Sequence, residues 1–357
     1  MAGTVPQSDH LSTDRLARVF DNTVATYKFY WFEAILDLFI TTGKTRFDIW
    51  DIQVEMVVNS WHPVCYFHLS FGKSESLFRA IHEIQHRYDL PVLMGREDLR
   101  RWLHENRSKV YGTIRFLQLN VPYRFLMPWI RTTNDLSLVE RSQEFENNCP
   151  YRIWTRDGGM RIELNPLWLD YFRDNYPILK NFIYWNLALF VQGRNPNVPN
   201  VPGKLVRVEA RNSLRKQHEF WDYVMDHEAQ KMHCIYTGAE LSKGEYDLDH
   251  FLPWSFVSHD LLWNLLPADG SINSSKSDRL PDLGEYLPGL ASAQQLALRT
   301  CLENGHQPKI LEDYLSLGCT VQEIADMPKA ALYDCFGRVL KPLDQIARNM
   351  GFESWIR

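Results

Sequence analysis

The sequence predicts a mainly α protein with small β elements, in the α+β class: a helical N-terminal module containing one hairpin, then a C-terminal ββα module in a helical frame. Three observations carry that prediction. The longest apolar runs, Tyr27 to Thr42 above all, have the length of helices and not of strands. Strand pairs bounded by turn residues occur at only two places, around 151–164 and 246–267. Between them lies GRNPNVPNVPGK (193–204), whose three prolines and two glycines disfavour helix and read as an extended linker. The chain therefore divides into residues 1–192, a linker at 193–204, and 205–357, with the ββα core at 246–281.

Taken in order, the first helix runs from Tyr27 to Thr42 and stops at Gly43. A second spans Phe47 to Trp61 and ends before Pro63; the residue preceding a proline disfavours the α conformation. YFHLSF (66–71) reads as a short strand, and Glu75 to Tyr88 as a helix. YRIWT and MRIEL, separated by Arg156 to Gly159, read as a β-hairpin. Past the linker come a polar helix from Leu205 to Lys231, a compact segment ending at Pro281, and a helical tail.

Composition excludes several classes. A hydrophobic content of 45% is that of a folded protein, and 39 basic against 44 acidic side chains leave a net charge of -5. Any nucleic-acid surface must then be a local patch. One candidate is Arg96 to Arg131, where eight basic residues meet three acidic ones. The six cysteines form no CxxC pair, which points to a reducing, cytoplasmic setting and against a four-cysteine zinc site. No signal peptide or membrane span is evident, because Glu33 and Asp37 interrupt the densest apolar stretch.

The chemistry concentrates in one segment: Asp249-His250, Pro253, Ser255, Asn264, and Asn273-Ser-Ser-Lys276-Ser-Asp278. Tyr246 to His250 reads as a strand, Phe251 to Leu262 as a loop, Trp263 to Pro267 as the second strand, and Ser271 to Leu280 as a helix folded back on them. Neighbours on a strand diverge, so Asp249 can hold a cation while His250 faces a water. With the amide oxygen of Asn273, the donors suit one hard cation, Mg²⁺ or Mn²⁺. Neutral His250 can act as general base, and Lys276, one turn beyond Asn273, can meet a phosphate. Arg207, Arg211 and Arg215, spaced four apart, would line one helix face as nucleic-acid-binding residues tracking phosphates.

In these residues the segment resembles the HNH, or ββα-metal, endonucleases. The likeness is closest to the HNH module of the RNA-guided CRISPR nucleases, whose pattern D-H-x-x-P-x-S, N, N-x-x-K-S-D-x-x-P is matched from Asp249 to Pro281. The resemblance implies that Asn264 braces the loop carrying the histidine. It departs from many HNH enzymes at Thr237, which stands where the first CxxC pair would have its second cysteine. No structural zinc is therefore expected, and Cys234 reads as a core residue. The N-terminal run is distantly similar to helical modules found ahead of HNH domains in bacterial defence nucleases, including modified-DNA-dependent restriction enzymes.

The expected protein is a metal-dependent DNA endonuclease, nicking one strand, serving anti-phage defence or restriction. Its N-terminal module would recognise DNA or dock a defence-system partner; Val121 to Arg131 could wall a pocket with Arg124 and Arg131 at its rim, although a proline-broken core segment is the plainer reading. Two alternatives stay open: an RNA-cleaving or toxin-like nuclease, and a partner-gated subunit or scaffold of a defence complex. Oligomeric state is not legible.

Overall fold

A computed structural model describes residues 5–73, 75–156, 159–206, 213–229 and 231–357. The chain is mainly α-helical with two small antiparallel sheets. It forms two units, Met1–Pro196 with Lys204–Arg207, and Asn197–Gly203 with Val208–Arg357. Among the described residues no helix is long and apolar enough to cross a membrane.

In the first unit the Tyr27–Thr42 helix forms as expected and ends on Gly43, whose φ of 66° is the left-handed cap that glycine adopts without strain. Its apolar faces pack on the Ile49–Cys65 helix, which is buried along nearly its whole length. That helix continues through Pro63. Pro63 removes one intrahelical donor near the end of the helix, while Pro63, Val64 and Cys65 are all buried, so continuing also gains apolar burial.

The strand expected at Tyr66 to Phe71 is absent. His68 takes φ 52°, and Ser70 satisfies its backbone on a side chain: its N–H donates to Asn195 Oδ1 (3.0 Å), and its carbonyl accepts from Asn195 Nδ2 (2.7 Å). The hairpin is present. Strands β1 (Arg46–Asp48), β2 (Tyr151–Arg156) and β3 (Gly159–Leu164) form an antiparallel sheet of order β1-β3-β2. Of the expected turn, Arg156 to Gly159, the end residues belong to the strands, and residues 157 and 158 lie outside the described residues. Phe47 and Asp48, which the sequence places at the start of a helix, belong to β1, and three residues are too few to show an alternating pattern.

The stretch from Gly193 to Lys204 is not extended throughout; it ends in a short helix, Val201–Leu205. Pro202 sits in the first turn, where a missing N–H costs nothing, and Asn200 Oδ1 accepts from Gly203 N (3.1 Å).

In the second unit, β4 (Asp247–His250) pairs antiparallel with β5 (Leu265–Ala268), and the Gly270–Lys276 helix follows. The helix stops earlier than predicted because Ser277 turns to φ 45° and the chain leaves to bridge Leu280 to Ser354. All four β5 residues are buried, without the alternation of a half-exposed strand. One cause is the Leu283–Glu303 helix, whose Gln294 Nε2 donates to the carbonyls of Leu262 (3.1 Å) and Leu265 (2.8 Å). The polar helix predicted from Leu205 to Lys231 is observed over Arg215–His227.

Candidate active site

The β4–β5 register sets His250 opposite Leu265 and Asp249 opposite Leu266, and the Gly270–Lys276 helix packs on β4. Asp269 caps that helix by accepting from Ser271 N (2.9 Å). Alternation on β4 sends the two neighbouring side chains into different surroundings.

Asp249 is nearly fully buried, and both its oxygens are occupied. Oδ1 accepts from Lys276 Nζ at 3.0 Å, and Oδ2 accepts from the Tyr236 hydroxyl at 2.7 Å. Burial and the Asp249 charge push the Tyr236 phenol well above its usual range, so it stays a donor. Lys276 Nζ also donates to the His250 carbonyl (2.6 Å), and its side chain is wholly buried. The ammonium expected to face a phosphate instead joins Asp249 to the backbone of His250. An ammonium without solvent is stable only against a carboxylate, which is what the fold supplies.

His250 turns outward from this pair, with its Nε2 2.9 Å from Asp260 Oδ1. Because a carboxylate only accepts, Nε2 carries the proton and Nδ1 of the neutral ring keeps its lone pair. The loop between β4 and β5 is fastened by Asn264, which is fully buried: its Oδ1 accepts from Leu252 N (2.9 Å), and its Nδ2 donates to Leu252 O (3.0 Å). Ser255 Oγ donates to Asp278 Oδ1 (2.9 Å), tying that loop to the end of the module.

Asn273 lies exposed one turn before Lys276 on the same helix, whose Lys276 reaches Asp249. Asp249 and Asn273 thus stand on consecutive elements of the module, the first buried and the second exposed. Among the described residues no group of three His, Cys, Asp or Glu side chains could hold a metal. Cys234 is buried, and its Sγ accepts from Asp269 N (3.5 Å).

The arginine stripe expected from the sequence lies mostly outside the described residues. Arg207 and Arg211 lie outside the described residues, and the helix carrying Arg215 begins at that residue, because Ser213 and Leu214 are non-helical. Arg215 is exposed and pairs with Glu219 on its own helix (2.7 Å).

Residues 234–282 match the family model described as HNH endonuclease. That match supports an HNH nuclease and implies a nucleic-acid substrate. It spans β4, β5 and the Gly270–Lys276 helix, with every residue of the Asp249, His250, Asn264 and Lys276 network. No curated protein matches the chain, and no solved structure does. Two residues of this HNH segment were missed from sequence. Asp260 sits in an irregular loop where no spacing rule links it to His250, and Tyr236 reads as one more core aromatic.

Proposed function

We propose that the chain is a divalent-metal-dependent DNA endonuclease that nicks one strand, with His250 as general base. The observation that carries this reading is the His250–Asp260 pair beside the buried Asp249. Asp260 holds the imidazole in the tautomer whose Nδ1 is free to take a proton from water. As that proton arrives, the Asp260 charge stabilises the imidazolium, and general-base assistance of this kind is worth roughly 10²- to 10⁴-fold in rate.

The donor chemistry of Asp249 and Asn273 fits Mg²⁺ or Mn²⁺, since both present oxygen, and a metal there would take the place of the Lys276 ammonium on Asp249 Oδ1. A divalent cation bound there supplies positive charge to the phosphate and to the departing 3′-oxygen. Lys276 and Tyr236 fix Asp249 in place, and Asn264 fixes the loop behind His250, so the reacting groups are held before substrate arrives.

The helical first unit serves recognition or partner docking, and the expected setting is anti-phage defence or restriction. The test is relaxation of supercoiled plasmid by the full chain in Mg²⁺ or Mn²⁺, with an RNA substrate in parallel. Nicked circles that vanish with His250→Ala support the reading, whereas undiminished relaxation by that variant overturns it.

A further inference from the structure

In the first unit a cavity of about 810 Å³ opens between the Asp14–Lys28 segment and the Asn120–Arg131 segment. Its lining collects five cationic side chains against two carboxylates, Asp14 and Asp21. This is not simply the basic stretch noted in the sequence. Much of that stretch is used internally: Arg96 donates to Asn59, Arg100 pairs with Glu55 and Glu97, Arg101 pairs with Asp98, and Arg107 lies over the Trp50 ring. Only Arg124 and Arg131 from the stretch reach the cavity, where Arg15, Arg18 and Lys28 join them from the chain's beginning.

Two of these cations are oriented by neutral carbonyls. Arg15 Nη1 donates to Trp129 O (3.2 Å), and Lys28 Nζ donates to Val19 O (3.0 Å). Burial lowers the Lys28 pKa, partly opposed by the Asp21 carboxylate, and a further anion in the cavity would oppose it more. Arg124 meets Asp135 (3.3 Å), but Arg18 and Arg131 are exposed and, among the described residues, in no ion pair. Thr23 and Asn22 are also among the lining residues. Val121 and Pro128 supply apolar wall. Exposed guanidinium groups beside an apolar wall suit a phosphate joined to something less polar.

We infer that this cavity is a second nucleic-acid contact, in which a nucleotide of the DNA substrate sets its phosphate against Arg18 and Arg131 and its sugar or base against the Val121–Pro128 wall. The identity of the ligand as DNA rests on the nuclease reading above. A free nucleotide would share the chemistry, but Arg18 and Arg131 are both exposed, as contact with a strand too long to enter the cavity requires.

The test measures binding, not cleavage. The full chain carrying His250→Ala is titrated with a labelled duplex, followed by fluorescence anisotropy, over a range of KCl concentrations. Arg18→Gln and Arg131→Gln should each weaken binding about three- to tenfold and lower the salt slope by about one, while Arg87→Gln, on an exposed cation elsewhere, should change neither. Thermal melts confirm that the variants fold. A double variant that binds within about twofold of its parent, with the same slope, overturns the inference. Deoxyadenosine monophosphate binding the cavity as tightly as the duplex overturns the assignment to a strand, and no binding at millimolar concentration supports it. Plasmid nicking by the wild-type chain is scored separately. Cavity-dependent binding without nicking removes the nuclease reading and keeps the cavity, whereas nicking with cavity-independent binding does the reverse.

Discussion

Asp260 Oδ1 accepts from His250 Nε2 at 2.9 Å, so an acidic loop residue ten positions downstream sets which ring nitrogen of the candidate base is free. Asp260 is a positioning residue, acting through the imidazole. Asp260→Asn should lower the nicking rate by about 10²-fold while leaving DNA affinity within about twofold. The imidazole ¹⁵N shifts of His250 report the tautomer directly, and a wild-type tautomer distribution in the variant would remove Asp260 from this role.

Lys276 separates two accounts by stability alone. As a phosphate contact at the surface, its removal would leave folding nearly unchanged. As the buried partner of Asp249, its removal strands a carboxylate with only Tyr236 to answer it. Lys276→Met should therefore destabilise the second unit by about 3 kcal/mol, read from urea denaturation without DNA.

Metal removal follows from the donor set. With oxygen ligands from Asp249 and Asn273 and no paired cysteines near Cys234, EDTA should abolish nicking, and added Mg²⁺ or Mn²⁺ should restore it. Elemental analysis of the purified chain should find zinc well below one equivalent. Stoichiometric zinc, or cleavage that resists EDTA, contradicts the assignment.

The first unit carries its own pH signature. Burial raises the Glu75 carboxyl from an ordinary 4.5 to about 7, against the opposing hydrogen bonds from Thr26 N and Oγ1. Between these values the folded chain holds a proton that the unfolded chain has released. The Glu75 contribution is thus complete below about pH 4.5 and is lost as pH rises through about 7, on the order of 3 kcal/mol in all. Glu75→Gln should flatten that part of the profile and stabilise the unit above neutrality, measured as the difference in Tm between pH 5 and pH 8.

The sequence by itself determined the mainly α class, the Tyr27–Thr42 helix with its Gly43 stop, the hairpin ending at Leu164, and the segment that holds Asp249, His250, Asn264 and Asn273. These features are local: apolar periodicity, turn chemistry and residue spacing are all written within a few turns of chain. Tertiary structure alone decided what the charged groups face. Lys276 and Asp249 are 27 residues apart, and only the fold of the helix onto β4 makes Lys276 a buried partner of Asp249 and not a phosphate contact. Tyr236 and Asp260 reach the site from an upstream turn and an irregular loop, and Arg18 meets Arg131 at one cavity across more than a hundred residues. Spacing along a chain constrains direction only within one regular element. The electrostatic partner of a side chain depends on which other elements bury it, and that is set by the packing of the whole unit.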